Sequence, residues 1–199
     1  SEAGHAIASV LSGDVNPSGK LPISFPATLE DCGAHAFGPE TYPGVNETVT
    51  YSEDIYVGYR WFDSKNITPM YAFGHGLSYT IFDYGKAKVD KQNVRAGEGM
   101  TLTIPLKNTG KLDGDEVIQV YLRNPADKEG PIKTLRAFRR ASLPAGQTEN
   151  IQIELPASTF ECFNPSTNRM EILPGKYELL YGGTSDEKAL QKLTITVKK

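Results

Sequence analysis

The sequence predicts a mainly β protein whose body is an immunoglobulin-like antiparallel β-sandwich of the fibronectin type III-like kind. Two observations carry that reading. From about Tyr84 onward the apolar residues recur with a period of two. Met100, Leu102, Ile104 and Leu106 alternate with Thr101, Thr103 and Pro105, and Ile118, Val120 and Leu122 share one face of the next run. Ile151, Ile153 and Leu155 alternate with Gln152 and Glu154, as Leu193, Ile195 and Val197 do with Thr194 and Thr196. Such alternation puts one set of side chains on the buried face of a sheet. Turn formers separate the runs: Asn108-Thr109-Gly110, Asp113-Gly114-Asp115, Pro144-Ala145-Gly146 and Pro174-Gly175. About seven short strands at this spacing describe a sandwich, and the missing Cys–Trp–Cys arrangement of antibody domains selects the fibronectin-like variant.

Composition removes several function classes. The 199 residues hold 39% hydrophobic and 23% charged side chains, enough to build a core, so wholesale disorder is excluded. With 21 Lys+Arg against 24 Asp+Glu the formal net charge is −3, which offers no electrostatic footprint for nucleic acid or an anionic membrane. No apolar run approaches the roughly 20 residues of a bilayer span.

Three regions follow in chain order. Residues 1–28 open with Ala6, Ile7, Val10 and Leu11 at helical spacing, stopped by Gly13. After the Asn16-Pro17-Ser18-Gly19 turn comes a short extended segment, Leu21 to Pro26. One helix and one short strand make no core alone, so this stretch reads as the tail of a larger α/β domain. Residues 29–83 lack periodicity but are dense in aromatics, among them Tyr51, Tyr56, Tyr59, Trp61, Phe62, Tyr71, Phe73, Tyr79 and Phe82. A disordered linker is poor in such residues, so the segment reads as an ordered connector whose rings pack on neighbouring domains. Residues 84–199 are the sandwich.

Chemistry is hard to find in these residues. A Gly-x-Ser-x-Gly elbow is absent, and Phe73-Gly74-His75-Gly76 lacks the strand–loop–helix context of a phosphate cradle. His5, His35 and His75 share no metal-ligand spacing, and Asp113-Gly114-Asp115-Glu116 fits a hairpin turn with solvated carboxylates better than a calcium loop. Glycoside chemistry needs two acids facing across a cleft, whereas the adjacent Glu53 and Asp54 read as a solvated pair or a helix first turn. Trp61, beside Tyr59, Arg60 and Phe62, suits a sugar-stacking platform or, more simply, burial at a domain interface. Cys32 and Cys162 form one long-loop disulfide or two isolated thiols, and the isolated thiols are favoured. Asn46-Glu47-Thr48 and Asn66-Ile67-Thr68 match the glycosylation triplet, which counts only in a secreted eukaryotic protein.

The order of several motifs resembles the C-terminal part of glycoside hydrolase family 3. These are Gly13-Asp14-Val15-Asn16-Pro17-Ser18-Gly19-Lys20-Leu21-Pro22, Tyr56-Val57-Gly58-Tyr59-Arg60 and the specific block Phe73-Gly74-His75-Gly76-Leu77-Ser78-Tyr79-Thr80. Asn108-Thr109-Gly110, Leu143-Pro144-Ala145-Gly146 and Pro174-Gly175-Lys176-Tyr177 continue the series. The resemblance implies a retaining β-glycosidase, a β-glucosidase or alternatively a β-xylosidase, built from a barrel, an α/β sandwich domain and a fibronectin type III-like domain. Its nucleophilic aspartate and acid/base glutamate would both lie upstream of Ser1, so no catalytic residue, cofactor or metal is carried over and the fragment is expected to be inactive.

Under that resemblance the chain is a scaffold. Tyr59, Arg60, Trp61, Phe73, Gly74, Gly76, Leu77 and Tyr79 are its candidate interdomain packing residues, with Arg60 expected in a buried polar pair. Each buried ring contributes roughly 1.5–3 kcal/mol. The implied partners are the upstream catalytic domains of the same polypeptide, with a β-linked oligosaccharide as substrate of the parent only. Neither nucleic acid nor membrane is a partner, and an orphaned apolar connector is expected to self-associate. A periplasmic or secreted location follows by kinship alone. The rival reading is a carbohydrate-binding or adhesion module, against which stands the concentration of aromatics in the connector rather than on the sandwich.

Overall fold

The computed structural model describes residues 2–198. Helix α1 (Ala3–Ser12) ends where Gly13 turns left-handed (φ 84°) and returns its N–H to the Val10 carbonyl, the stop that a glycine just past the last turn provides. No residue of α1 is buried, and its apolar Ile7 and Leu11 face outward. The segment Leu21–Pro26 is not the strand the sequence predicts. It makes one isolated bridge, Phe25 to Tyr71, and exchanges backbone bonds with Gly74 and His75 through Leu21. Pro22 and Pro26 lack the N–H groups that a longer ladder requires.

The connector holds two short helices, α2 (Gly33–Ala36) and α3 (Tyr59–Lys65), joined by turns. Trp61 is only 5% exposed, so it is no stacking platform. Its burial comes from the connector itself. The indole N–H donates to the Asp31 carbonyl at 2.9 Å, and the ring meets Phe37 edge-on at 5.6 Å. A Cβ on Gly33 would stand 3.2 Å from that indole, which is why the close approach uses glycine. Glu53 is neither solvated nor in a helix first turn: it lies in a turn with Oε2 shut off from solvent, while Asp54 takes a left-handed conformation (φ 52°).

The sandwich contains more strands than the seven expected. They are β1 (Phe82–Tyr84), β2 (Lys88–Val89), β3 (Asn93–Arg95), β4 (Met100–Asn108), β5 (Gly114–Arg123), β6 (Thr134–Leu143), β7 (Thr148–Leu155), β8 (Cys162–Asn164), β9 (Arg169–Glu171), β10 (Gly175–Gly182) and β11 (Gln191–Lys198). The additions β2, β3, β8 and β9 are two or three residues long, too short to show a period. One sheet centres on β4, with β7 on one edge and β1 followed by β2 on the other. The second runs β3-β11-β10-β5-β6, antiparallel except for β3 beside β11, and β8–β9 form a separate ladder.

The register pairs Leu102 with Ile153 and Ile104 with Ile151. These residues pack into one core with Ile118, Val120, Leu122, Leu179, Tyr181, Ile195 and Val197 from the facing sheet. Between β1 and β2 the edge strand breaks. There the Tyr181 hydroxyl reaches across from β10, accepting the Ala87 N–H at 2.9 Å and lying 3.1 Å from the Gly85 carbonyl oxygen. Cys32 and Cys162 are free thiols, and burial raises the Cys162 thiol above its ordinary value. Phe138 on β6 and Phe163 on β8 are exposed aromatics of the sandwich.

Candidate functional site at the connector–sandwich junction

Strand β5 departs from simple alternation: from Ile118 to Leu122 every residue is buried. Ile118, Val120 and Leu122 face the sandwich core. Gln119 and Tyr121 alternate with these, yet both are buried: the connector's Tyr59 ring lies on Tyr121 and Gly74 lies against the Gln119 amide. The pairing of β5 with β6 shifts register at Val120/Tyr121.

Tyr59, first residue of α3, is the central contact. Its ring meets Tyr121 edge-on at 5.5 Å and Phe73 at 5.7 Å, and its hydroxyl accepts the Leu135 N–H at 2.8 Å. Beneath it lies Lys133, a lysine with no solvent exposure. The Lys133 Nζ sits 2.5 Å from Asp63 Oδ2 on α3 and 5.8 and 5.9 Å from the rings of Tyr59 and Tyr121. Burial pushes the Asp63 carboxyl above its usual range despite the adjacent ammonium, and burial raises the Tyr121 phenol as well. Tyr121 donates its hydroxyl proton to Gln119 Oε1.

The block from Phe73 to Thr80 stitches the three regions together. The Phe73 carbonyl accepts from the Ser185 N–H at 2.8 Å and from Thr184 Oγ1 at 3.1 Å. Gly74 is left-handed (φ 83°), gives its N–H to the Leu21 carbonyl, and lies against the Gln119 amide. Gly76 lets the chain approach Gly19 and Lys20, where a Cβ would stand 2.8 Å from Lys20 Cδ. Asn16 Oδ1 accepts from Ser78 Oγ at 3.0 Å and from the Tyr79 N–H at 2.8 Å, while its Nδ2 donates to the Asp113 carbonyl at 2.8 Å. The Tyr79 hydroxyl donates to the Val10 carbonyl at 2.7 Å and so anchors the end of α1. Thr80 Oγ1 donates to Asn108 Oδ1 at 2.5 Å, and Asn108 Nδ2 donates to the carbonyls of Leu112 and Leu143.

Tyr59, Phe73, Gly74, Gly76 and Tyr79 thus converge on the junction, whereas Trp61 is buried one turn away. Leu77 is 75% exposed. Arg60 is half-buried but does not form the expected buried polar pair among the described residues; Lys133–Asp63 is that pair. Sequence reasoning missed Lys133 and Asp63, and it read Asn16 and Asn108 as mere turn formers. A single sequence gives no signal for a buried lysine, a residue type that is nearly always exposed. The acidic turn also needs correction: Glu116 is buried and pairs with Lys20 at 3.0 Å, and Asp115 pairs with Arg140.

A cleft of about 470 Å³ opens beside the junction, with Asp63, Tyr71, His75, Thr184, Asp186 and Glu187 in its walls. Its acids are already engaged. Asp63 holds Lys133, Asp186 caps the Lys188 N–H, and Glu187 binds Arg123 at 2.7 Å. Acid/base work needs a proton-bearing and a proton-accepting group facing one reacting atom, and these three carboxylates each face a partner within the chain instead.

The hydrogen bond from Arg123 holds the Glu187 carboxyl below its ordinary 4.5. A depressed carboxylate contributes stability that is present above the unfolded-state value and lost as pH falls through the folded-state one. Urea midpoints measured from pH 6 down to acid are therefore expected to fall below about pH 4.5. In Glu187→Gln that decline is expected to be shallower; an unchanged slope would show that the contact does not matter.

Comparison with known proteins agrees with this layout. Residues 1–79 match the Glycosyl hydrolase family 3 C-terminal domain, and residues 116–185 match the fibronectin type III-like domain. The β-glucosidase BoGH3A of Bacteroides ovatus is 38% identical over 191 residues, which is 94% of this chain and 25% of that protein. A xylan 1,4-β-xylosidase of Xylanibacter ruminicola is 39% identical over 198 residues, 98% of this chain and 20% of that protein. Among solved structures, β-glucosidase 3B of Thermotoga neapolitana in complex with α-D-glucose superposes with a TM-score of 0.88 at 36% identity, covering 100% of this chain and 27% of that one. DesR, a β-glucosidase of Streptomyces venezuelae in complex with D-glucose, gives 0.86 at 37% identity over 96% of this chain and 24% of that one. The chain spans about a quarter or less of the length of these curated relatives. Motif order, sandwich topology and both domain matches agree, and this chain belongs to glycoside hydrolase family 3, as part of its C-terminal region with a fibronectin type III-like domain.

Proposed function

We propose that this chain is the non-catalytic C-terminal scaffold of a retaining β-glucosidase that removes terminal non-reducing β-D-glucosyl residues. The observation that carries the reading is the match of nearly the whole chain to only a quarter of a β-glucosidase. The outward apolar residues support it. Ile7 and Leu11 on α1 and Tyr51, Val57 and Leu77 in the connector are largely exposed, as expected of surfaces that meet further domains. Both catalytic carboxylates are assigned to the remainder of the polypeptide, and the parent is assigned to the periplasm or the exterior of the cell. A β-xyloside substrate is the second reading, favoured by the Xylanibacter ruminicola relative.

The test is hydrolysis of aryl β-glucosides and β-xylosides by the 199-residue chain and by the longer polypeptide. The chain is expected to be inert and the longer polypeptide active, with the faster aryl glycoside deciding the sugar. Turnover by the pure chain would overturn the scaffold assignment.

A further inference from the structure

The cleft beside the junction has the size and lining of a ligand site. Its volume of about 470 Å³ falls within the roughly 300–1,000 Å³ of small-molecule pockets. The connector from Asn66 to His75 forms one wall, the loop after β10 with Ser185 and Lys188 another, and Ile132, just before β6, lies between them.

Charge in the walls is balanced from within the chain. Asp63 meets Lys133 and Glu187 meets Arg123, while Asp186 and Lys188, joined through the Lys188 N–H, supply one charge of each sign. A phosphate or a cation finds no excess of opposite charge here, and among the described residues no group of His, Cys, Asp and Glu is placed to hold a metal ion. The lining therefore selects an uncharged ligand.

Several polar groups of the walls are uncommitted among the described residues. Ser185 is only 5% exposed and its N–H serves the Phe73 carbonyl, but its hydroxyl makes no hydrogen bond and is not among the atoms sealed from solvent. Asn66 is the left-handed cap of α3 (φ 53°), a task for its backbone, and its side-chain amide has no partner. The Tyr71 hydroxyl and the His75 ring nitrogens have none either. Hydroxyl, amide and neutral imidazole groups can each donate and accept. They stand beside ring and aliphatic surface: Tyr71 is 45% exposed with its ring tilted on His75 at 4.8 Å, and Met70 and Ile132 are exposed. Neutral donor–acceptor groups beside an aromatic, apolar wall complement a pyranose ring, which carries hydroxyls on its edge and C–H groups on its face.

We propose that this cleft is a non-catalytic binding site for one β-glucosyl ring, with the ring face toward Tyr71 and the hydroxyls on Asn66 and Ser185. The proposal rests on the β-glucosidase reading and goes beyond the scaffold role, because it gives these residues a ligand of their own.

The experiment uses the full-length polypeptide whose nucleophile has been trapped by an activated 2-deoxy-2-fluoro-β-glucoside, so that the catalytic site is filled. Calorimetric titration with cellotetraose and with glucose is then expected to show one further site, and the tighter ligand tells whether the ring comes from a chain or from released sugar. Asn66→Gly keeps the left-handed cap and Ser185→Ala removes a single oxygen, so both variants retain the fold. Each is expected to weaken binding about three- to tenfold, the worth of a neutral hydrogen bond. Absence of binding to the trapped polypeptide, or binding that neither substitution weakens, overturns the proposal and leaves the β-glucosidase reading standing. If the fluoroglucoside does not inactivate the polypeptide, the β-glucosidase reading fails and the proposal falls with it.

Discussion

Replacing Asp63 with alanine is expected to destabilise the 199-residue chain by about 3–5 kcal/mol, the usual cost of removing one partner from a buried ion pair. The variant leaves the Lys133 ammonium with no solvent exposure, enclosed by the rings of Tyr59 and Tyr121. Those rings attract a cation, but cation–π contacts are worth only about 0.5–2 kcal/mol and do not replace a carboxylate at hydrogen-bond distance. Lys133→Ala is expected to cost somewhat less, because Asp63 retains some access to water and can take a proton. The double variant Asp63→Leu/Lys133→Met is expected to recover most of the loss, since buried ion pairs often exchange for apolar residues at little cost. Urea midpoints of the three variants check this. A cost below about 1 kcal/mol for both single variants would place the pair among ordinary surface ion pairs.

Gly74→Ala is expected to be the second large loss, at about 2–6 kcal/mol. Part is backbone strain, since a left-handed residue without glycine's freedom costs about 1–3 kcal/mol. The rest is overpacking, about 1–3 kcal/mol in a filled interior. An added Cβ would run into the Gln119 amide and stand 2.9 Å from the Gly183 carbonyl oxygen. Gln119→Ser in the Gly74→Ala background is expected to restore only part of the loss. It removes the clash with the Gln119 amide but leaves the Gly183 carbonyl and the backbone strain, and it takes away the acceptor of the Tyr121 hydroxyl. Thermal unfolding of the single and double variants checks both expectations. A Gly74→Ala chain that melts within a degree of the original would show that this loop relaxes freely.

The sandwich was legible in the sequence because its inward residues alternate over long runs, as in Met100 to Leu106 and Ile151 to Leu155. What escaped was everything set by a second surface. Strand β5 is covered on both faces, so Gln119 and Tyr121, which alternate with the shared face of Ile118, Val120 and Leu122, are buried too, with Tyr121 against the Tyr59 ring. The prolines around Leu21 to Phe25 prevented the strand that the extended pattern promised. Asn16 and Asn108 carry the same turn signal as any loop asparagine. Their role as hydrogen-bond hubs depends on carbonyls many residues away, such as Asp113 and Leu143, and no local pattern shows such partners. Phe73, Gly74, Gly76 and Tyr79 were singled out through motif resemblance, as candidates for packing between domains. Their physical reasons, a left-handed turn against an amide and a hydroxyl on the end of α1, became visible only with the fold.

The break between β1 and β2 bears on how copies of this chain meet one another. An unbroken edge strand offers a neighbour a continuous row of backbone donors and acceptors, the template for sheet extension and fibre growth. Here that edge is divided into pieces of three and two residues, and Tyr181 holds the interruption from inside the core. This edge of the sandwich is thereby made a poor template for sheet-to-sheet growth. Any association of the isolated chain is expected to use the exposed apolar side chains of α1 and the connector instead, such as Ile7, Leu11 and Val57, and so to be side chain against side chain.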